Sequence, residues 1–106
     1  MRAKKVDANQ AEVVDYLRSV GWVVFVTSGL GGGYPDLHVS REGFAALVEI
    51  KDGSKPPSAR QLTKAERGFM NQWQGPYVLA CDEKDAEQQL NTLMWRARAG
   101  MLRHLY

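Results

Sequence analysis

Two carboxylates and a lysine stand at the ends of two short apolar runs in one stretch of the chain. Asp36 follows Pro35 directly, and Glu49 and Lys51 flank Ile50. Acidic side chains at the ends of apolar strands are costly to bury unless they are paired or bind a metal ion. This pattern therefore indicates a divalent-metal site that hydrolyses a phosphodiester bond.

The residue types match what such chemistry needs. Asp36 and Glu49, once close together, would supply two oxygen ligands to Mg²⁺ or Mn²⁺, and the backbone carbonyl of Ile50 would supply a third. A bound ion of this kind polarises a phosphoryl oxygen and lowers the pKa of a bound water. Lys51, on the same strand face as Glu49, is suited to orient that water and to stabilise charge in the transition state.

The two acids meet only if their strands pair in one register. Residues 34–40 alternate as a strand should, and residues 44–51 are apolar until their end. If residues 42–43 form a two-residue turn, Asp36 falls opposite Glu49 and shares its face. A slip by one residue would send the acids to opposite faces. The proposed chemistry therefore predicts the first register.

The remaining segments are predicted to frame this hairpin in the order α-β-β-β-α-β-α. Gly-rich residues 28–33 form the loop before the Pro-Asp strand, and Ser58 is a candidate N-cap for the helix after the hairpin. The first predicted element is a helix that follows an N-cap at Asp7 or Asn9 and ends at Gly21. After it come strands over 22–27, 34–40 and 44–51, a helix over 58–73, a strand over 77–80 and a helix that starts after Asp82. This order predicts an α/β domain with a mixed four-stranded sheet flanked by helices.

Pro-Asp on one hairpin arm and Glu-x-Lys on the other resemble the PD-(D/E)xK nuclease superfamily. The frame from about Asn9 to Leu90 is similar to its virus-type replication-repair nuclease (VRR-NUC) subfamily. The resemblance implies a restriction-endonuclease-like core in a single domain over residues 1–106. It also implies DNA as the substrate.

The resemblance assigns roles residue by residue. Asp36 and Glu49 would bind the metal, Lys51 would be catalytic, and Gln61 would assist from the start of the next helix. Glu12, in the first helix, matches a glutamate that often contributes to the metal site. For Gln61 and Glu12, exposed helix positions with no catalytic role remain the alternative.

The distribution of charge gives candidates for DNA contacts. The net charge of +2 is too small by itself to indicate a nucleic-acid partner. Three cations follow the Glu-x-Lys motif and are suited to phosphate contacts, although a solvated surface explains them nearly as well. They are Lys55, Arg60 and Lys64. His38 shares the predicted face of Asp36, where a packing role is the simpler interpretation.

Length and composition set further limits. The 106 residues, 44% hydrophobic and 25% charged, are typical of one soluble globular domain. No apolar run is long enough for a membrane span, and the N-terminus lacks the apolar core of a signal peptide, so a cytoplasmic location is expected. The single cysteine, Cys81, excludes an intrachain disulfide.

These observations predict a metal-dependent DNA endonuclease that is selective for branched or four-way DNA, because so small a chain has little room to read bases. The apolar C-terminal tail, with Met101, Leu102, Leu105 and Tyr106, favours a homodimer. A restriction or nicking nuclease with sequence preference is one alternative. A non-catalytic DNA-binding module that keeps the fold is another.

Overall fold

The structure, a computed structural model, describes the backbone of residues 9–105 and the side chains of residues 9–100. Its elements are α1 (Gln10–Ser19), β1 (Val23–Val26), β2 (Leu37–Arg41), β3 (Phe44–Ile50), a 3₁₀ turn (Pro57–Arg60), α2 (Lys64–Gln72), β4 (Tyr77–Ala80) and α3 (Glu83–Leu105). The sheet has the order β1-β2-β3-β4, with antiparallel pairs except for parallel β3 and β4. The predicted α/β class and mixed four-stranded sheet flanked by helices are confirmed.

One face of the sheet packs against α1 and α3 and forms the core. Side chains alternate along a strand, so every second residue of β2 and of β4 enters this core. The core includes Leu17 of α1, Val48 of β3 and Leu90 of α3, all fully buried. Within residues 9–105, no helix combines the length and the apolar composition needed to span a membrane. The opposite sheet face carries the candidate site.

The β2–β3 turn is a tight two-residue connection. Arg41 pairs with Phe44, and the two residues between them, Glu42 and Gly43, have φ angles of 49° and 85°. Positive φ at both central positions is the geometry of a type I′ hairpin, which matches the twist of antiparallel strands. This turn fixes the register of the whole hairpin.

The second helix begins later than the sequence predicted. Ser58 lies in the 3₁₀ turn, and α2 starts at Lys64 after the N-cap Thr63. The Thr63 hydroxyl accepts from the Glu66 N–H at 3.2 Å, while Oε1 of Glu66 accepts from the Thr63 N–H at 2.8 Å. This reciprocal capping box satisfies two helix-end donors. A start at Ser58 was therefore wrong, because the stronger cap lies five residues further on.

Candidate active site

Asp36 and Glu49 lie across from each other at the open end of the β2–β3 hairpin. The ladder pairs Leu37 with Val48, and one further residue in the same register sets Asp36 opposite Glu49. Opposed residues of an antiparallel pair share a face. The two side chains are only 3% and 1% exposed. The register that the chemistry requires is confirmed.

Pro35 changes the hydrogen bonding that is open to Ile50, the last residue of β3. In the same register Pro35 faces Ile50, and a proline has no N–H to donate to the Ile50 carbonyl. The Ile50 N–H instead donates to Oδ2 of Asp36 at 2.8 Å. At this step the Asp36 carboxylate therefore accepts the hydrogen bond that a strand backbone would otherwise accept.

Thr27, just after β1, holds the Pro-Asp segment from its other side. Its N–H donates to the Asp36 carbonyl at 2.7 Å, and its Oγ1 donates to the Pro35 carbonyl at 2.8 Å. Both carbonyls are therefore bonded to Thr27, while the Asp36 side chain reaches Ile50 of β3. The Asp36 carboxylate is positioned by backbone contacts on two neighbouring strands.

Lys51 contacts two buried acids. Its Nζ lies 2.8 Å from Oε1 of Glu66 and 3.8 Å from Oε2 of Glu49. Glu66, in the first turn of α2, is 3% exposed and is the buried residue of that helix. Lys51 therefore joins the end of β3 to the start of α2. Three carboxylates, those of Asp36, Glu49 and Glu66, lie at this end of the sheet.

Glu66 is ionised in this environment. Burial by itself raises the pKa of a carboxyl group, but hydrogen bonds from Lys51, from the Thr63 backbone and with Glu49 lower the pKa of Glu66 to about 2. The ionised carboxylate is therefore a strong partner for the Lys51 ammonium group. This pair restrains Lys51 next to Glu49.

The pKa of Tyr77, at the start of β4, is affected by the negative charge of the site. Burial is the largest cause of its raised pKa, and the charges of Glu49, Glu66 and Asp36 raise the pKa further. No hydrogen-bond partner for the buried Tyr77 Oη is found among the described residues. The phenol therefore stays neutral beside the three acids.

The oxygen donors at this end of the hairpin are of the chemical type that Mg²⁺ and Mn²⁺ prefer. Residues 9–100 contain no group of three or more His, Cys, Asp or Glu side chains suited to hold a metal. Mg²⁺, however, is commonly bound through one or two carboxylates, with waters and substrate phosphate completing its shell. Asp36, Glu49 and the Ile50 carbonyl are a set of that size, made of hard oxygen donors.

Two predicted site residues are exposed, unlike the buried acids of this cluster. Gln61 is exposed in an extended conformation at the end of the 3₁₀ turn, so its predicted place at a helix start was wrong. Glu12 is exposed on α1 and lines a separate groove with Arg60, to which neither Asp36 nor Glu49 contributes. Glu66 occupies the early-helix position that the sequence interpretation gave to Gln61.

The three predicted DNA contacts lie in three successive segments: Lys55 in a loop, Arg60 in the 3₁₀ turn and Lys64 at the start of α2. Lys55 and Lys64 are exposed. Arg60 lines a groove with four acidic residues. Because these carboxylates would repel a phosphate, Arg60 is less suited to contact one. These acids are Glu12, Asp52, Asp82 and Glu83.

Comparisons with protein-family models, with curated proteins and with solved structures gave no match. The resemblance to the PD-(D/E)xK nucleases therefore depends on the residues of this chain and on their geometry.

Proposed function

We propose that this chain is a metal-dependent DNA endonuclease with a restriction-endonuclease-like core of the VRR-NUC type. The single observation that carries the proposal is the register of the β2–β3 ladder, which sets Asp36 opposite Glu49 when it is continued by one residue, with Lys51 held 3.8 Å from Glu49. Acids that are only 3% and 1% exposed are costly to keep at a strand end, and a metal-dependent hydrolase needs such a pair.

Asp36, Glu49 and the Ile50 carbonyl are the groups that would hold Mg²⁺ or Mn²⁺. When bound, the metal would supply Lewis-acid polarisation of the scissile phosphate and a more acidic water. Lys51 carries a positive charge next to these ligands and is suited to orient the attacking water and to stabilise negative charge on the phosphate. Glu66 is a positioning residue, because it fixes Lys51 through the 2.8 Å ion pair.

The substrate is proposed to be branched DNA, such as a four-way junction, cut by a homodimer. The supporting argument is the small size of the chain, which leaves little surface for base reading. The side chains of the tail residues that suggested the dimer lie outside the described part. Sedimentation that detects only monomers at micromolar concentration would remove the dimer from the proposal.

The test is cleavage of defined DNA. Wild-type protein, Asp36→Ala and the control Asp15→Ala are incubated with Mg²⁺ or Mn²⁺ on linear duplex, flap and four-way junction DNA. Asp15 is an exposed acid on α1, so its variant removes the same charge away from the site. We expect wild type and Asp15→Ala to cut branched DNA, and Asp36→Ala to lose the activity.

The outcomes separate the candidate functions. DNA binding without cleavage by wild type would favour the non-catalytic module and reject the nuclease. Equal cleavage by Asp36→Ala would reject this site. Efficient cutting of linear duplex at defined sequences would replace branched DNA with sequence preference.

A further inference from the structure

Four aromatic rings form a continuous run from the candidate site to the outer side of α2. Tyr34 and His38, two residues before and after Asp36, stack with their ring centres 5.5 Å apart, and the Tyr34 hydroxyl is hydrogen-bonded to Nε2 of His38. Phe69 meets Tyr34 edge-on at 5.0 Å and stacks on Trp73 at 6.1 Å. The run therefore connects the neighbours of a proposed metal ligand to an exposed indole.

The outer end of this run borders an open groove of about 330 Å³. The groove lies between the Gly-rich loop and one side of α2. Its lining residues are Gly32, Ala65, Gly68, Phe69, Gln72 and Trp73. It combines two aromatic side chains with one amide group, which suits an occupant with a flat apolar face and polar edges.

Two of the lining residues, Gly32 in the loop and Gly68 in α2, have no side chain to fill the groove. A Cβ atom added at Gly32 or at Gly68 would meet no atom within 4 Å. Trp73 is 41% exposed, although its helical spacing with Phe69 predicts a core stripe. The stripe is therefore only half covered by the chain, and the missing side chains create the room beside it.

We propose that this groove stacks an unpaired nucleobase of the DNA substrate, next to the bond that is cut. The inference rests on the proposed nuclease function and specifies its substrate as DNA with a single-stranded nucleotide at the cleavage point. Aromatic rings along a path beside cationic groups are the usual means of holding single-stranded DNA. Lys64 and Arg67, both exposed on α2, supply the cations on the same helix.

Binding is measured without cleavage, by fluorescence anisotropy in EDTA. The probes are a labelled blunt duplex, the same duplex with a short unpaired deoxyadenosine extension, and that extension with abasic sites in place of the bases. The protein variants are Trp73→Ala, Gly68→Leu and Trp95→Ala. Trp95 is the matched control, because it is 64% exposed on α3 beside Arg98 and does not line the groove.

Trp73→Ala is expected to weaken binding of the extended duplex roughly tenfold, since base stacking contributes about that much for each base. Binding of the blunt duplex and the behaviour of Trp95→Ala should not change. Abasic extensions should cost wild type the same factor and cost Trp73→Ala nothing further. Gly68→Leu should reproduce the loss, because its side chain would fill the groove. The substitution should not disrupt α2, because leucine has a higher helix propensity than glycine.

Two results would overturn the assignment: wild type that binds abasic and normal extensions equally, or equal losses from Trp73→Ala and Trp95→Ala. The assignment and the nuclease proposal fail separately. Base-dependent binding in the absence of any Mg²⁺-dependent cleavage rejects the nuclease and keeps the groove. Cleavage that needs Asp36 but ignores unpaired bases rejects the groove and keeps the nuclease.

Discussion

Lys51 and Glu66 are 15 residues apart in the sequence, yet the Lys51 ammonium group lies 2.8 Å from the Glu66 carboxylate in a nearly buried ion pair. The pair connects the lysine of the Glu-x-Lys motif, just after β3, to the first turn of α2. The same Glu66 oxygen also caps that helix by accepting from the Thr63 N–H. One carboxylate therefore joins helix initiation to the position of the proposed catalytic lysine.

Removing this carboxylate should destabilise the fold. Glu66→Ala is expected to lower the free energy of unfolding by about 3 to 5 kcal/mol, because it leaves the Lys51 charge without this buried partner. Glu66→Gln should cost less, since its amide oxygen can still cap the helix. Glu42→Gln is the control, because the Glu42 side chain is 60% exposed beside Arg41 and Arg98. All three variants are compared with wild type by urea titration, in which Glu42→Gln should change the free energy of unfolding by less than about 1 kcal/mol.

The stability of the protein should fall in acid through the titration of Glu66. The pKa of Glu66 is about 2 in the folded protein against an ordinary value of 4.5. The unfolded state therefore binds the proton more readily, and the stability from this group is present above about pH 4.5 and is lost as the pH falls towards 2. Urea unfolding at a series of pH values should show a shallower acid loss in Glu66→Gln than in wild type. Identical slopes would contradict the ion pair.

The hairpin could be predicted from the sequence because its information is local. A glycine in a two-residue turn fixes the register, and the register fixes which acids face each other. The register that brings Asp36 and Glu49 to one face therefore follows from the sequence, and the observed ladder has this register. Tyr77–Ala80 was likewise predicted with its observed bounds, since Gly75-Pro76 marks the strand's start.

The region after the hairpin could not be predicted as well. Ser58 offered a plausible cap after two prolines, and only the competition with Thr63 decides the helix start. The Thr-x-x-Glu spacing of Thr63 and Glu66 was a readable capping signal. The contact of Glu66 with Lys51 could not be predicted from the sequence, because this contact depends on how α2 packs against the sheet. Tertiary packing, rather than helix propensity, placed this carboxylate in the site.

Gly33 should tolerate no side chain. A Cβ atom there would lie 2.1 Å from the Ala65 carbonyl oxygen of α2, and the φ angle of 83° is unfavourable for other residues. Gly33→Ala is therefore expected to separate the loop from α2 and to lower the melting temperature strongly. Gly31→Ala is the matched control, because its φ of 70° is similar but its Cβ meets no atom within 4 Å. Equal effects of the two variants would show that backbone strain alone, and not close packing, is responsible.

Tyr77→Phe should leave the protein as stable as wild type or more stable by up to about 1 kcal/mol. The substitution removes a buried hydroxyl for which no described residue offers a hydrogen bond. Because the folded pKa of Tyr77 is raised, its contribution is present below about pH 10 and is lost as the pH rises. The variant should therefore lose less stability in alkali.

Tyr16→Phe is the control for Tyr77→Phe in the same denaturation series. The Tyr16 hydroxyl donates to Oε1 of Glu87 at 2.7 Å, so its removal should lower stability at neutral pH. A clear destabilisation by Tyr77→Phe would show that its hydroxyl has a partner that matters.

Mg²⁺ should stabilise the folded protein through Asp36 and Glu49, independently of any cleavage. A ligand that binds only the folded state at a hundredfold excess over its Kd adds about 2.7 kcal/mol, which raises the melting temperature by several degrees. Asp36→Asn and Glu49→Gln should each abolish this rise, although Asn at position 36 keeps an oxygen that can accept from the Ile50 N–H. Asp15→Asn, which changes an exposed acid on α1, should keep it. A melting temperature of wild type that does not respond to Mg²⁺ or Mn²⁺, or an equal rise in Asp36→Asn, would contradict metal binding by these two carboxylates.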